Sequence, residues 1–186
     1  MDDRVLVSQV LGGNMQAFRM LIKLNEKLVG HMVGRIVKNK EEHEEICQDV
    51  FLKVYNKLYE FNFQSKLSTW IATIAYRHAI NATRRMKQSF LEIPQDEGGS
   101  TSFINADTPE GLMEDKDMDE YILQLVEQLP TQYKVVLTLY HVEGMSYQEI
   151  GEVTEMPEGT VKNYLFRART LLKEKVKKLM IKEPGL

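Results

Sequence analysis

The sequence contains little cysteine and no long apolar run. Cys47 is the only cysteine, so no disulfide can form within the chain, and a disulfide-stapled scaffold is excluded. No apolar stretch approaches the roughly 20 residues that a membrane-spanning helix needs. The chain opens with Met1, Asp2 and Asp3, which are acidic where a secretory signal would be basic. We therefore expect a protein of the reducing cytoplasm.

Histidine is also scarce, and no arrangement typical of a metal site or a catalytic centre is visible. His43 and Cys47 are four residues apart and could share a helix face. A structural zinc site usually needs four ligands, however, and no neighbouring pair completes the set. His31, His78 and His141 are isolated. Without a nucleophile–base pair or a glycine-rich phosphate loop, we expect no enzyme, metal, cofactor or small-molecule substrate.

Charge is distributed unevenly along the 186 residues, whose net charge is −3. Residues 1–90 carry 14 Lys or Arg against 9 Asp or Glu, and residues 129–186 carry 9 against 7. Residues 91–128 carry one basic residue against 11 acidic ones. The chain is therefore interpreted as two mildly basic blocks joined by an acidic segment, a pattern that permits contact with nucleic acid despite the acidic average.

The acidic segment has the composition of a linker. Residues 91–119 hold Pro94, the Gly98-Gly99 pair and Pro109 among many acids, and such a stretch buries little apolar area. With 43% hydrophobic residues overall, the flanking blocks can each form a core. We predict an all-α protein with two small helical domains, residues 1–90 and 120–186, joined by a flexible acidic linker.

The first block shows helical periodicity in three places. The spacing predicts helices over residues 14–37, capped by Asn14, over residues 41–60 and over residues 68–89. Apolar residues of the second of these fall on one stripe at steps of three and four; they are Ile46, Val50, Phe51, Val54 and Leu58. The end of the third helix is basic.

The second block predicts a helix-turn-helix. Helices are expected over residues 119–129 and 131–142. Ser146 and Glu149 then form a capping box for a short helix, a turn follows, and Thr160 opens a final helix to about residue 180. In this motif the second helix enters the DNA major groove.

Several polar or exposed side chains lie off the apolar stripe of the final helix, as a DNA-reading face requires; they are Lys162, Asn163, Phe166, Arg167 and Arg169. Lys and Arg pair with phosphates or guanine edges, and Asn pairs with adenine. The free amides near Thr160 suit a phosphate. The alternative is a solvated basic face on an ordinary helical hairpin.

The motifs of both blocks together resemble one family. Residues 144–150 (GMSYQEI), 159–162 (GTVK) and 167–169 (RAR) closely resemble region 4 of the extracytoplasmic-function sigma factors of bacterial RNA polymerase. Residues 45–54 (EICQDVFLKV) and 61–75 resemble region 2 of the same family. The resemblance covers nearly all of residues 5–180, in the right order and with an acidic linker between, which is more specific than a helix-turn-helix alone.

The resemblance implies a sigma factor that directs promoter-specific initiation, with a division of labour. The final helix would read the −35 element as duplex through Lys162, Asn163, Phe166 and Arg167. The −10 element would be read as melted DNA, with bases stacked or caught in a pocket and phosphates held by cations; the candidate residues are Phe61, Asn62, Phe63, Gln64, Ser65, Lys66, Arg77, Arg84 and Arg85. Trp70 beside them is expected to pack in the core.

Protein partners are implied in the same way. Gln48, Asp49 and Leu52 would face the clamp of core RNA polymerase, and the second domain would meet its flap. The acidic linker would occupy the RNA exit path, and in the free protein it could instead shield the basic helices. An anti-sigma factor is a further implied partner.

Two residues depart from the family pattern. Phe63 stands where many relatives have Gly, and Arg77 stands where many have Asn. Both lie in the −10 segment, so the preferred −10 sequence is left open. A free-standing helix-turn-helix regulator, binding duplex DNA as a dimer without polymerase, is the alternative function.

Overall fold

A computed structural model describes residues 2–92 and 124–182, and these residues form helices and no strand. The helices are α1 (Asp3–Leu11), α2 (Met15–Gly34), α3 (Lys40–Lys57), α4 (Leu67–Glu92), α5 (Thr131–His141), α6 (Tyr147–Thr154) and α7 (Glu158–Lys182). A 3-10 turn, Leu58–Glu60, follows α3, and residues 124–127 are also helical. The all-α prediction is confirmed. None of the helices described is long and apolar enough to cross a bilayer.

Side-chain caps explain where the first helices begin. Asn14 Oδ1 accepts hydrogen bonds from the backbone N–H groups of Gln16 and Ala17, so the predicted cap of α2 is confirmed. Asn39 caps α3 in the same way, although the sequence analysis did not identify it. Helix α1, capped by Asp2, was not predicted either.

Helices α1 to α4 surround one core, to which every helix contributes buried aliphatic residues. The fully buried ones include Leu21, Val29, Val33, Val50, Val54, Leu58, Ile71 and Ala75. Each buried Val, Leu or Ile side chain contributes about 1.5–3 kcal/mol relative to exposure. Asn25 is also buried, and its amide donates to the carbonyl oxygen of Leu21 at 2.9 Å. The stripe predicted for α3 is confirmed at Ile46, Val50 and Val54.

Helices α5 to α7 pack together and continue the same buried cluster, with Pro130 immediately before α5. Their fully buried residues are Val135, Val136, Leu139, Ile150, Val153, Val161, Leu165 and Ala168. The buried Lys134 donates to Glu127 at 2.9 Å. Burial by itself would raise the pKa of Glu127, but Lys134 and Arg35 outweigh it and hold that pKa below its usual value.

The two helical units contact each other, an arrangement the sequence analysis left open. Helix α4 packs against α6, and α2 packs against α5. His31 Nδ1 lies 2.6 Å from Glu143 Oε1, and Arg35 Nε donates to Thr138 Oγ1 at 3.0 Å. Most of the predicted linker, and the shielding role suggested for it, lie outside the described residues.

Candidate nucleic-acid interface

The helix-turn-helix is built from local signals. The backbone N–H of Glu149 donates to Ser146 Oγ at 3.2 Å, and the N–H of Ser146 donates to Glu149 Oε2 at 2.8 Å. The predicted capping box is therefore confirmed. Glu155 ends α6 in the left-handed region, at φ 59°. Helix α7 begins at Glu158, two residues before the predicted Thr160, because the carbonyl of Pro157 already accepts from Thr160 and Val161.

Gly151 allows the turn to approach α6 closely. A Cβ added at this residue would meet the carbonyl oxygen of Met156 at 2.8 Å, below the separation that atoms tolerate. The N–H of Met156 also donates to the carbonyl oxygen of Gly151 at 3.1 Å. Gly151 is therefore a structural requirement of the motif, which the sequence analysis missed.

Helix α7 presents a continuous exposed face opposite its buried stripe. Lys162, Asn163, Phe166 and Arg167 are all exposed, and Phe166 retains 70% of its accessible surface. Lys162 Nζ lies 2.7 Å from Glu158 Oε1, a pairing that raises the pKa of Lys162. Among the described residues, none pairs with Arg167. An exposed aromatic ring between cations is therefore available to a ligand.

Arg169 is also exposed, and its side chain lies against α5. Its Nη2 lies 3.1 Å from His141 Nε2, and its guanidinium lies 5.3 Å from the ring centroid of Tyr140. Burial and the charge of Arg169 lower the pKa of His141. Thr160 lies in the first turn of α7 and is half-buried.

Aromatic side chains support the loop between the 3-10 turn and α4. The buried Phe61 has its ring centroid 4.7 Å from that of Phe63 and 5.4 Å from that of Trp70. Phe63 adopts φ 61°, a region that glycine enters without cost and other residues rarely enter. The Arg4 guanidinium lies over the Phe63 ring, 5.0 Å from its centroid. Trp70 is half-buried against the core, in line with the packing role expected of it.

Helix α1 braces the same loop. Besides the contact of Arg4 with Phe63, the backbone N–H of Leu67 donates to Asp3 Oδ2 at 3.4 Å. These contacts join residues that are far apart in the sequence, 64 positions in the case of Asp3 and Leu67. The sequence therefore offered no local signal for them.

The polar residues of the loop are accessible, but two cations are engaged. Asn62 and Gln64 are exposed and Ser65 is half-buried. Lys66 Nζ lies 2.9 Å from Glu149 Oε1, and Arg77 Nη2 lies 2.5 Å from Glu155 Oε1. The predicted cations Arg84 and Arg85 are exposed further along α4.

The predicted polymerase-facing residues lie together on the outer side of α3. Gln48 is exposed and Leu52 keeps 60% of its surface exposed. Asp49 Oδ2 lies 3.4 Å from His78 Nε2, and His78 Nδ1 lies 2.6 Å from Lys53 Nζ. Burial, then the Lys53 charge, lowers the pKa of His78. A neutral imidazole can accept from Lys53 and donate to Asp49, which orients that carboxylate.

The predicted His43–Cys47 pair is a packing contact. His43 Nε2 lies 3.0 Å from the carbonyl oxygen of Gly30 and 3.8 Å from Cys47 Sγ. Burial, then the charge of Glu44, raises the pKa of the Cys47 thiol. Within the described ranges, no three His, Cys, Asp or Glu side chains are grouped as metal ligands.

Comparison with known proteins relates both helical units to one family. The family description "Sigma-70 region 2" matches residues 21–89, and "Sigma-70, region 4" matches residues 119–172. The ECF RNA polymerase sigma-E factor of Escherichia coli is 31% identical over 186 residues, which cover 96% of each chain. The corresponding protein of Haemophilus influenzae is 29% identical over 184 residues, covering 96% of this chain and 97% of that one.

Two solved structures have the same fold. CnrH, in complex with the cytosolic domain of CnrY, gives a TM-score of 0.67 at 19% identity, covering 95% of this chain and 97% of CnrH. The sigma factor RpoE from Bartonella quintana, in complex with the anti-sigma factor NepR, gives 0.67 at 20% identity, covering 86% and 96%. With its two matched regions and its full-length relatives, the chain belongs to the extracytoplasmic-function sigma factors, the promoter-recognising initiation factors of bacterial RNA polymerase.

Proposed function

We propose that the two helical units divide promoter recognition between them. Residues 1–90 bind core polymerase and read the −10 element as melted DNA, residues 120–186 read the −35 element as duplex, and residues 91–119 connect the two. The observation that carries this proposal is the exposed basic face of α7, presented by a helix-turn-helix whose caps and turn are already formed. Such a preformed face can enter a major groove without refolding.

At the −35 element, α7 lies in the major groove. Arg167 makes a base contact, Asn163 reads an adenine edge, and Lys162 holds phosphates. The amides of Glu158 and Gly159 at the start of α7 assist, since those of Thr160 and Val161 already donate to Pro157. Phe166 supplies an apolar contact, as for a thymine methyl group. Arg169 supports the helix through α5, because its side chain is directed to Tyr140 and His141.

At the −10 element, the loop of residues 61–66 captures bases of the melted strand. Phe63 and the polar groups of Asn62, Gln64 and Ser65 form the accessible part of this surface, and the buried Phe61 packs against the Phe63 ring. Cations hold the phosphates of the strand; these are Lys66, Arg77, Arg84 and Arg85. Base stacking on an aromatic ring contributes about 1–3 kcal/mol per base.

Core polymerase binds the outer side of α3 through Gln48, Asp49 and Leu52, with the clamp as the surface contacted, and the second unit meets the flap. The exposed apolar Leu52 beside an oriented carboxylate suits an interface that combines an apolar contact with a charge pair. The protein supplies no reacting group of its own and acts in the cytoplasm.

Replacing Asp49 with Lys tests the polymerase surface. A reversed charge at the interface should abolish co-elution of the protein with core polymerase on gel filtration, because like charges across an interface oppose association. The fold should survive, as judged by circular dichroism. Glu26→Lys is the matched control, since Glu26 is an exposed acid on α2. Unchanged co-elution of the Asp49 variant would refute the clamp assignment.

An anti-sigma factor is proposed as a further partner. Both solved structures of the same fold were determined with a second protein bound, and for RpoE of Bartonella quintana that protein is an anti-sigma factor. Affinity purification of the tagged protein from the membrane and soluble fractions of its source cells tests this. We expect a specific protein to co-purify with it, and to be released when transcription from its promoters is induced.

A further inference from the structure

Two cations of the −10 segment end on carboxylates of the other helical unit. Lys66 Nζ lies 2.9 Å from Glu149 Oε1, and Arg77 contacts Glu155 Oε1 through both Nη2 at 2.5 Å and Nε at 2.6 Å. Glu149 lies in the first turn of α6, and Glu155 follows its last residue. Helix α6 therefore lies across the −10 segment, with Glu149 near its beginning and Glu155 at its end.

The contact between α4 and α6 is packed as well as charged. Thr69 is fully buried, and its hydroxyl donates to Glu149 Oε1 at 3.4 Å. The Lys66 ammonium, together with the capping contacts of Ser146, lowers the pKa of Glu149 to about 2, although partial burial opposes this. On the same side, burial and then Glu155 raise the pKa of Tyr76. The contact between α4 and α6 therefore holds acidic and basic side chains close together.

We propose that α6 blocks the −10 surface in the free protein, where the carboxylates of Glu149 and Glu155 take the positions that phosphates of the melted strand take in the initiation complex. This inference rests on the proposed −10 role of Lys66 and Arg77. A carboxylate and a phosphate both accept hydrogen bonds from Lys and Arg. The acids and the single strand therefore compete for the same two cations.

The departure at Arg77 fits this arrangement. The two nitrogens of its guanidinium that meet Glu155 make a forked, charge-assisted contact, which is the geometry that Arg provides. An Asn at this position, as the resemblance implies for many relatives, has neither the charge nor the length to make it. The Arg77–Glu155 pair therefore depends on Arg at position 77.

The blocking contact is weak enough to open. The side chains of Arg77 and Glu155 are each 60% exposed, and that of Lys66 is 72% exposed, so water and salt screen both pairs. Meanwhile the outer face of α7 remains accessible. Polymerase, by holding the two units apart, releases the −10 surface without any change within either unit.

A charge-neutral double variant tests the block. E149Q/E155Q removes both carboxylates, while Gln at position 149 still completes the capping box. The matched control is E152Q/E174Q, which loses the same charge at exposed positions of α6 and α7. The probe is a fluorescein-labelled single-stranded DNA of mixed sequence, titrated with each full-length protein at about 0.1 M salt.

The block predicts that E149Q/E155Q binds the probe roughly 5- to 10-fold more tightly than the control. Adding K66A/R77A to the double variant should abolish that gain, because the strand is held by these cations. Equal affinity of E149Q/E155Q and its control would overturn the proposal. A gain that survives K66A/R77A would also overturn it, because the acids would then act elsewhere.

A separate measurement distinguishes failure of the proposed block from failure of the proposed −10 role. Run-off transcription by the holoenzyme containing K66A/R77A should be strongly reduced if these cations hold the melted strand. Full transcription would refute the −10 role itself, whatever the probe measurements give. Loss of transcription together with equal probe affinities would refute only the block.

Discussion

The two parts of the molecule that we propose to read DNA are built in different ways. The helix-turn-helix rests on contacts between close neighbours in sequence, such as the capping box at Ser146 and the left-handed turn at Glu155. The −10 segment rests on distant contacts, from Arg4 and Asp3 in α1 and from acids in α6. The caps and the turn of the first are therefore set by neighbouring residues, whereas the second is held by contacts from distant parts of the chain.

The two parts also differ in accessibility. Phe166 and its neighbours on α7 are exposed, whereas Lys66 and Arg77 are already paired with carboxylates. Duplex DNA presents its edges without being opened, but single-stranded DNA becomes available only once polymerase has bound and melted the promoter. We infer that the −35 surface is accessible in the free protein and that the −10 surface becomes accessible only in the complex with polymerase.

Replacing Arg167 with Ala should have the largest effect, and only on the first part. A bidentate base contact is worth about 1–3 kcal/mol, so affinity for a duplex carrying the −35 element should fall roughly 5- to 150-fold. Fluorescence anisotropy with the holoenzyme measures this. Lys173→Ala, an exposed cation further along α7, is the control. Equal loss of polymerase binding would show that Arg167 has a general structural role instead.

Replacing Gly151 with Ala should have the next largest effect, by destabilising the helix-turn-helix. The new methyl group would press on the Met156 carbonyl, and we expect a loss of about 1–2 kcal/mol in the free energy of unfolding after the gain in helix propensity. Gly159→Ala is the control, because a Cβ there meets nothing within 4 Å. Urea unfolding should rank Gly159→Ala above Gly151→Ala; the reverse order would show that the turn adjusts freely.

Two substitutions of Phe63 test the loop of the −10 segment. Gly at this position relieves the left-handed strain and Ala does not, while both lose the ring contacts with Phe61 and Arg4. Phe63→Gly should therefore be more stable than Phe63→Ala by about 0.5–1 kcal/mol, after allowing for the greater freedom of Gly in the unfolded chain. Equilibrium unfolding measures both. Greater stability of the Ala variant would mean that the loop relaxes on truncation.

Glu149 gives the smallest expected effect, a pH dependence. Its folded-state pKa of about 2 lies below the ordinary value of 4.5, so it stabilises the fold above pH 4.5, and this contribution is lost as pH falls towards 2. Because Lys66 is mostly exposed, we expect only about 0.5 kcal/mol. Urea unfolding of Glu149→Gln against wild type should show this difference at pH 6 and less of it below 4.5.

A difference that stays constant from pH 6 to pH 3 would contradict the charge pair. Glu152→Gln, on the same helix and bonded to Gln148, should change little at any pH.

Local signals account for what could be predicted from the sequence. Asn14, the Ser146 capping box and the apolar stripes of α3 and α7 all act within a few residues, so the helices and the helix-turn-helix were predictable. Short α1 was missed because only three of its residues are buried, too few for a clear period. The contacts of Asp3 with Leu67 and of Glu155 with Arg77 join distant parts of the chain, and a single sequence carries no pattern for them.

The most direct test of the account is run-off transcription by purified bacterial core polymerase on pooled genomic fragments, with and without this protein. The account predicts discrete new transcripts whose upstream regions share two sequence elements, and predicts that Arg167→Ala weakens dependence on the upstream one. No new transcripts, together with duplex binding by the protein alone, would contradict the account and indicate a free-standing regulator.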